Sequence, residues 1–350
     1  MKKNYNNNAL DLFRILATVQ VFLGHFITHF VLPSQLTETS HLYNAVYFLR
    51  GVPILFALCG FLAAKSLEHY SPKEYLIRRG FRILPGFWVC ILVNTLIIFL
   101  LYGIPSFRDG VIYFVTQLLG LNFYTGDWLR GYGVGTPNGV LWTIGVQLQF
   151  FILAPMLHKL LKKLKLSGSM IFVGILTVLS IAIEKCSPIL PEMLYKLVGV
   201  TVVPYLYFLV LGMAAWCYRN QLIAVLEKLR WIILPVFVLW KIAENTLQFP
   251  HIFDGVMYNT ITTLLTAMLI FAFAFRFKWR LKKDLTYGFY LYHMVFINIA
   301  VHCGHKTLGG NWQSAVVIVA VTLLPTLLAW LSQTFIEDPA AKLYKKKEGV

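Results

Sequence analysis

A chain of 350 residues that is 58% hydrophobic and only 13% charged, with a mean hydropathy of +0.68, carries more apolar surface than a soluble core uses. Its composition is that of a polytopic membrane protein. The formal net charge of +16 would also suit a nucleic-acid-binding protein, but basic residues gathered in cytoplasmic loops give the same total, so nucleic acid is not an expected partner.

The opening "MKK" resembles the basic start of a signal peptide. Asp11 and Arg14 interrupt the apolar run that follows, however, and no small-residue cleavage site closes it, so the first span is expected to stay in the mature protein. Apolar windows of about 20 residues predict ten spans, at about 9–31, 43–65, 83–103, 139–161, 169–184, 197–217, 231–249, 257–276, 285–303 and 313–336. The fold class expected is thus all-α, a helix bundle of about ten transmembrane helices forming a single domain over 1–350, with both termini cytoplasmic.

Charge sets the orientation. With the amino terminus inside, the inner segments collect Lys2 and Lys3, the Lys65–Arg82 cluster, "KLLKKLK" from Lys159, Arg219 to Arg230, Arg276 to Lys283 and the lysines after Lys342. The outer segments keep Arg108, Arg130, Lys185, Lys196 and Lys306. The apolar stretch 111–124 cannot be an eleventh crossing, because that would place "KLLKKLK" outside. It is expected to be re-entrant or interfacial, within a large outer loop. That loop contains "YTGDWLRGYGVGTPNG", whose rings suit sugar stacking and a membrane-interface belt equally.

The five cysteines, Cys59, Cys90, Cys186, Cys217 and Cys303, have no metal-ligand spacing, and no metal is expected. Cys186 and Cys303 both fall near the outer face, but spacing alone does not pair them. No fixed-period or inverted repeat stands out, which disfavours a repeat-built transporter.

The first span carries charge where lipid-facing helices have none. Arg14 and His25 are eleven residues apart, which places them within about 20° of one another on a helix and separates them by about 16 Å along its axis. Asp11 lies on the same side. Taken singly, Arg14 suits a snorkelling anchor and His25 an interhelical hydrogen bond. Together they give one polar face, as expected of a helix lining a passage, and ionisable groups within spans are usually functional. In the ninth span Thr286, Tyr290 and His293 form a second polar line at helical spacing, for which interhelical hydrogen bonding is the plainer account.

These residues resemble the acyltransferase family 3 membrane proteins, which acylate cell-surface glycans. The family's Arg-x10-His signature reads "RILATVQVFLGH" here, from Arg14 to His25. "LFALCGFLAAKSL" is similar to its F-x-x-x-S-G-F stretch, with Cys59 in place of Ser. "RRGFRILP" resembles its R-x-x-R-I-x-P turn through Arg79 and Arg82, and "LWTIGVQLQFFILAP" its L-W-S-L-x-V-E-x-x-F segment. "YGFYLYH" and "FIEDP" are similar to its Y-G-x-Y-L-x-H and closing E-x-P runs. One departure bears on chemistry: Gln147 stands where the family usually has Glu, and a glutamine is neither a base nor a counter-ion, though it can orient a hydroxyl.

The resemblance implies a membrane O-acyltransferase, foremost an O-acetyltransferase. It would use cytosolic acetyl-CoA, with no permanently bound cofactor, to modify a hydroxyl of a surface polysaccharide or its lipid-linked precursor, in a bacterial cytoplasmic membrane. Arg14, Arg79 and Arg82 are the expected partners of the CoA phosphates, with Arg78 a weaker candidate. His25 is the expected general base, and Asp11 the group that orients Arg14. Trp142, Gln147, Tyr290 and His293 are candidates for acceptor or oxyanion contacts. Glu337 is expected to pair with a nearby basic residue. Direct transfer and an acyl-histidine intermediate both remain open. The rival readings are a lipid-linked glycan transporter and a non-catalytic protein of the same fold.

Overall fold

The computed structural model describes residue 5, residues 8–30, 41–122, 124–305 and 312–347, apart from the side chains after residue 343. In chain order its α-helices are α1 (Leu10–Phe30), α2 (His41–Val46), α3 (Gly51–Leu67), α4 (Pro72–Leu101), α5 (Phe107–Leu118), α6 (Trp142–Lys163) and α7 (Leu166–Lys185). They continue with α8 (Glu192–Gly199), α9 (Leu206–Cys217), α10 (Arg219–Thr246), α11 (Thr260–Phe273), α12 (Thr286–His302), α13 (Trp312–Ser332) and α14 (Asp338–Lys347). No strand forms among the described residues. Helices suit an apolar chain because each satisfies its own backbone hydrogen bonds where water is absent. The same environment tolerates Pro85, Pro155, Pro235 and Pro325 inside α4, α6, α10 and α13.

Each of the ten apolar windows falls on a helix, but they differ in what they can span. Among the described residues six helical stretches are long and apolar enough to cross a membrane: Leu10–Phe30, His41–Leu67, Pro72–Leu101, Gly139–Lys163, Leu166–Lys185 and Trp312–Leu343. A seventh is reached if α8 and the helix that follows it, bent by 52°, count as one span. The expected ten are therefore not all matched. At 14 and 17 residues α11 and α12 are short for a hydrocarbon core of about 30 Å. The longer α10 interrupts its apolar run with Glu227, Lys228, Arg230, Lys241 and Glu244. The 111–124 stretch lies largely on α5, whose 12 residues reach only about 18 Å.

The chain divides into two compact units. One comprises the residues up to Ala17, Phe48–Tyr75 and Val146–Lys282; the other comprises Thr18–Tyr47, Leu76–Gly145 and the residues from Lys283 onward. In the first unit α3 packs on α9 through small residues. A Cβ on Gly60 would meet the Leu209 carbonyl at 1.9 Å, and one on Gly212 would meet the Ala57 carbonyl at 2.1 Å, so both must be glycine. Phe56 stacks on Phe208, and Phe61 on Phe271, beside this crossing. The break before α9 frees backbone groups, which Gln149 satisfies: its Nε2 donates to the Val200 carbonyl at 3.1 Å and its Oε1 accepts from the Val202 N–H at 3.0 Å. A buried ion pair, Lys241 to Glu244 at 2.7 Å, ties α10 to α11 because Thr262 donates to the same carboxylate at 2.8 Å.

In the second unit α12 is the central helix. Gly288 lets it approach α13 so closely that a Cβ would lie 2.8 Å from the Ala329 Cα. Asn298, fully buried on α12, holds the loop before α6: it accepts from the Val134 N–H at 2.9 Å and donates to the Thr136 and Pro137 carbonyls, each at 3.0 Å. Asn94 on α4 also donates to Pro137, at 3.2 Å, and Asn138 donates to the Leu291 carbonyl at 2.9 Å. This amide layer fixes the loop that delivers Trp142 and Thr143 to the start of α6.

Candidate active site

The second unit gathers an aromatic and imidazole cluster from α1, α12 and the start of α6. His293 is completely buried, enclosed by rings on several sides. Phe289 stacks on it at 6.0 Å and 13°, while Phe22 and Tyr290 meet it edge-on at 6.0 and 5.8 Å. The half-buried ring of His25 stands 5.6 Å from that of His293, centroid to centroid, and His29 stacks on His25 one turn further along α1 at 6.0 Å. Gly24 makes room beside His25 for the Tyr47 hydroxyl, which a Cβ there would meet at 2.9 Å.

Hydrogen bonds fix which atoms of this cluster carry protons. His293 Nδ1 lies 3.2 Å from the Phe289 carbonyl, and because a carbonyl only accepts, Nδ1 holds the hydrogen and Nε2 is the basic nitrogen. That Nε2 is buried and has no hydrogen-bond partner. Thr143 donates its one hydroxyl proton to the Val140 carbonyl at 2.9 Å, so in its 2.9 Å contact with Tyr290 it is Tyr290 that donates. The Tyr290 proton is thus committed, and the phenol offers lone pairs. An oxyanion needs donors, and in this arrangement the protons of Tyr290 and of His293 Nδ1 are already engaged.

The other expected residues are distributed as follows. Arg14 and Gln147 fall in the first unit, whereas His25, Arg79, Arg82, Trp142, Tyr290 and His293 fall in the second. Asp11 pairs with Arg14 at 3.0 Å, the i, i+3 contact expected, and its second oxygen accepts from the Leu281 N–H at 3.3 Å. Arg79 is half-buried, and Arg82 is 3.8 Å from Asp284 with most of its side chain exposed. Trp142 and Gln147 are half-buried on α6. Thr286 is tied to the start of its own helix, its N–H and hydroxyl both bonded to Asp284, so it does not extend the line of Tyr290 and His293 chemically. Glu337 is buried in a π-helical turn, accepts from Ser332 at 2.9 Å and also interacts with the positive charge of Arg82, a basic residue as expected.

Several residues of the site escaped the sequence reading, among them Phe289 and His29, whose rings pack on His293 and His25. Thr143 and Phe22 belong to it through packing that no local pattern reveals. Asn94 and Asn298 did leave a signal, since each is an amide inside an otherwise apolar run, "VCILVNTLIIF" and "HMVFINIAV".

A family model for an acyltransferase domain matches residues 7–332, which includes every element of this cluster. The chain belongs to this acyltransferase family. Over 361 aligned residues it is also 25% identical to Nodulation protein 10 of Rhizobium leguminosarum bv. viciae, covering 97% of this chain and 94% of that protein. No solved structure matches the chain. Membership and the long apolar helices together make the protein a multi-pass membrane acyltransferase.

Proposed function

We propose that this acyltransferase is an O-acetyltransferase that takes acetyl from cytosolic acetyl-CoA and transfers it to a hydroxyl of a cell-surface glycan or its lipid-linked precursor, in a bacterial cytoplasmic membrane. The observation that carries this reading is the enclosed imidazole cluster around His25 in a chain of an acyltransferase family. His25 takes the proton of the acceptor hydroxyl as its oxygen attacks the thioester carbonyl, and the proton then passes to the departing thiolate. Arg14, aligned by Asp11, pairs with a CoA phosphate, and Arg79 and Arg82 supply further positive charge at the inner face. Tyr290, which has lone pairs to offer, accepts from a hydroxyl of the acceptor rather than stabilising an oxyanion.

The test is release of free CoA from acetyl-CoA by the purified protein in nanodiscs, with and without a surface-glycan extract. Wild type is expected to show extract-dependent release, His25→Ala to lose it by at least about 10²-fold, and Arg14→Ala to need a higher acetyl-CoA concentration. Equal release by His25→Ala and wild type would remove His25 from the chemistry.

A further inference from the structure

A histidine that acts as a base is ordinarily backed by a third group, which orients its ring and steadies the imidazolium that forms. In many sites that group is a carboxylate. Here the ionisable side chains whose rings meet His25 are imidazoles, His29 and His293.

His293 has what a backing group needs. Its Nδ1 proton is held by the Phe289 carbonyl, so its tautomer is set by the backbone. Its Nε2 is therefore a lone-pair acceptor, and it is buried without a partner, a costly state that calls for an explanation. The ring is fixed on four sides by Phe22, Phe289, Tyr290 and His25. Two imidazoles joined by an N–H···N bond of ordinary length have centroids roughly 5.2 Å apart. The observed 5.6 Å is a few tenths longer, and catalytic hydrogen bonds commonly tighten only when substrate is bound.

We propose that His293 is the positioning residue of the reaction: its Nε2 accepts the N–H of His25 and so directs the other nitrogen of His25 to the acceptor hydroxyl. This rests on the acyl-transfer reading above. As the hydroxyl oxygen forms its bond to the acyl carbon, its proton moves to His25. The resulting imidazolium is stabilised in a low-dielectric enclosure by sharing its second N–H with His293. The carbon–sulfur bond breaks, and the proton leaves His25 for the thiolate, giving the ester and the free thiol of CoA. Both imidazoles end neutral, as they began.

The experiment compares wild type, His25→Ala, His293→Leu and His293→Gln in nanodiscs, with acetyl-CoA and the surface-glycan extract. It records kcat, KM for acetyl-CoA and thermal unfolding. Leucine keeps the volume apolar and removes the acceptor; glutamine restores an acceptor oxygen. The expected result is a kcat about 10²-fold lower in His293→Leu, recovered at least about tenfold in His293→Gln, with KM for acetyl-CoA within about twofold throughout.

A kcat in His293→Leu within about threefold of wild type, while His25→Ala is inactive, would overturn the role of His293 and leave the acyl-transfer reading standing. Equal losses in the leucine and glutamine variants, with lowered unfolding temperatures, would show a purely structural role. Absence of turnover in wild type would overturn the acyl-transfer reading and this proposal with it.

Discussion

Side chains at the centre of the second unit are specified by hydrogen bonds more than by size. Asn298 satisfies one N–H and two carbonyls of the loop 134–137, groups that would otherwise be buried without water. Replacing it with leucine strands the Val134 N–H and the Thr136 carbonyl, while the Pro137 carbonyl keeps its bond from Asn94, and each stranded group costs about 1–3 kcal/mol. Allowing for relaxation of the loop, Asn298→Leu is expected to destabilise the protein by about 2–4 kcal/mol, read as a lowered unfolding midpoint in detergent. Because the same loop delivers Thr143 to Tyr290, activity should fall more steeply than the folded fraction. A variant as stable as wild type would mean that the loop is held by other contacts. Tyr290 shows a related logic: its proton is spent on Thr143, whose own is spent on Val140, and only the complete chain reveals that the phenol is left with lone pairs to offer.

Between helices, close approach depends on residues without side chains. The α3–α9 crossing brings Gly212 against the Ala57 carbonyl, where an added Cβ would sit at 2.1 Å, while Gly174 on α7 has nothing within 4 Å of the same atom. The same change, glycine to alanine, should therefore act in opposite directions. Gly212→Ala must push two helices apart and is expected to cost at least about 3 kcal/mol through overpacking. Gly174→Ala gains up to about 1 kcal/mol of helix propensity. Thermal unfolding of the two variants side by side checks this; equal midpoints would contradict the close packing. The crossing also explains the glycine of "LFALCGFLAAKSL" as a contact requirement, and Gly288 in "YGFYLYH" is explained likewise by Ala329. Two of the motif residues that carry the family resemblance are thus packing residues.

Over the whole molecule, what the sequence made legible was periodic or costly. Apolar windows landed on helices because membrane-compatible runs are long, and Arg14, His25 and His293 stood out because charge and imidazole are expensive there. Span counting was less secure, since α11, α12 and the charge-bearing α10 each meet only part of the requirement for crossing. Hydrogen-bond direction was not legible at all. The acceptor character of Tyr290 and the bare Nε2 of His293 depend on carbonyls of Val140 and Phe289, which are present in any sequence and become informative only when placed in space. For the same reason the bond from Ser332 to Glu337, five residues away across a π-helical turn, was not legible.

In the function proposed above, this membrane protein moves an acetyl group from CoA to a glycan hydroxyl through His25. That transfer is tested most directly by supplying radiolabelled acetyl-CoA to inverted membrane vesicles and counting label in the extracted glycan and lipid-linked glycan fractions. The account predicts incorporation with wild type and loss of nearly all of it with His25→Ala at equal protein level. Label that never enters glycan with wild type, or that enters equally with His25→Ala, would contradict it.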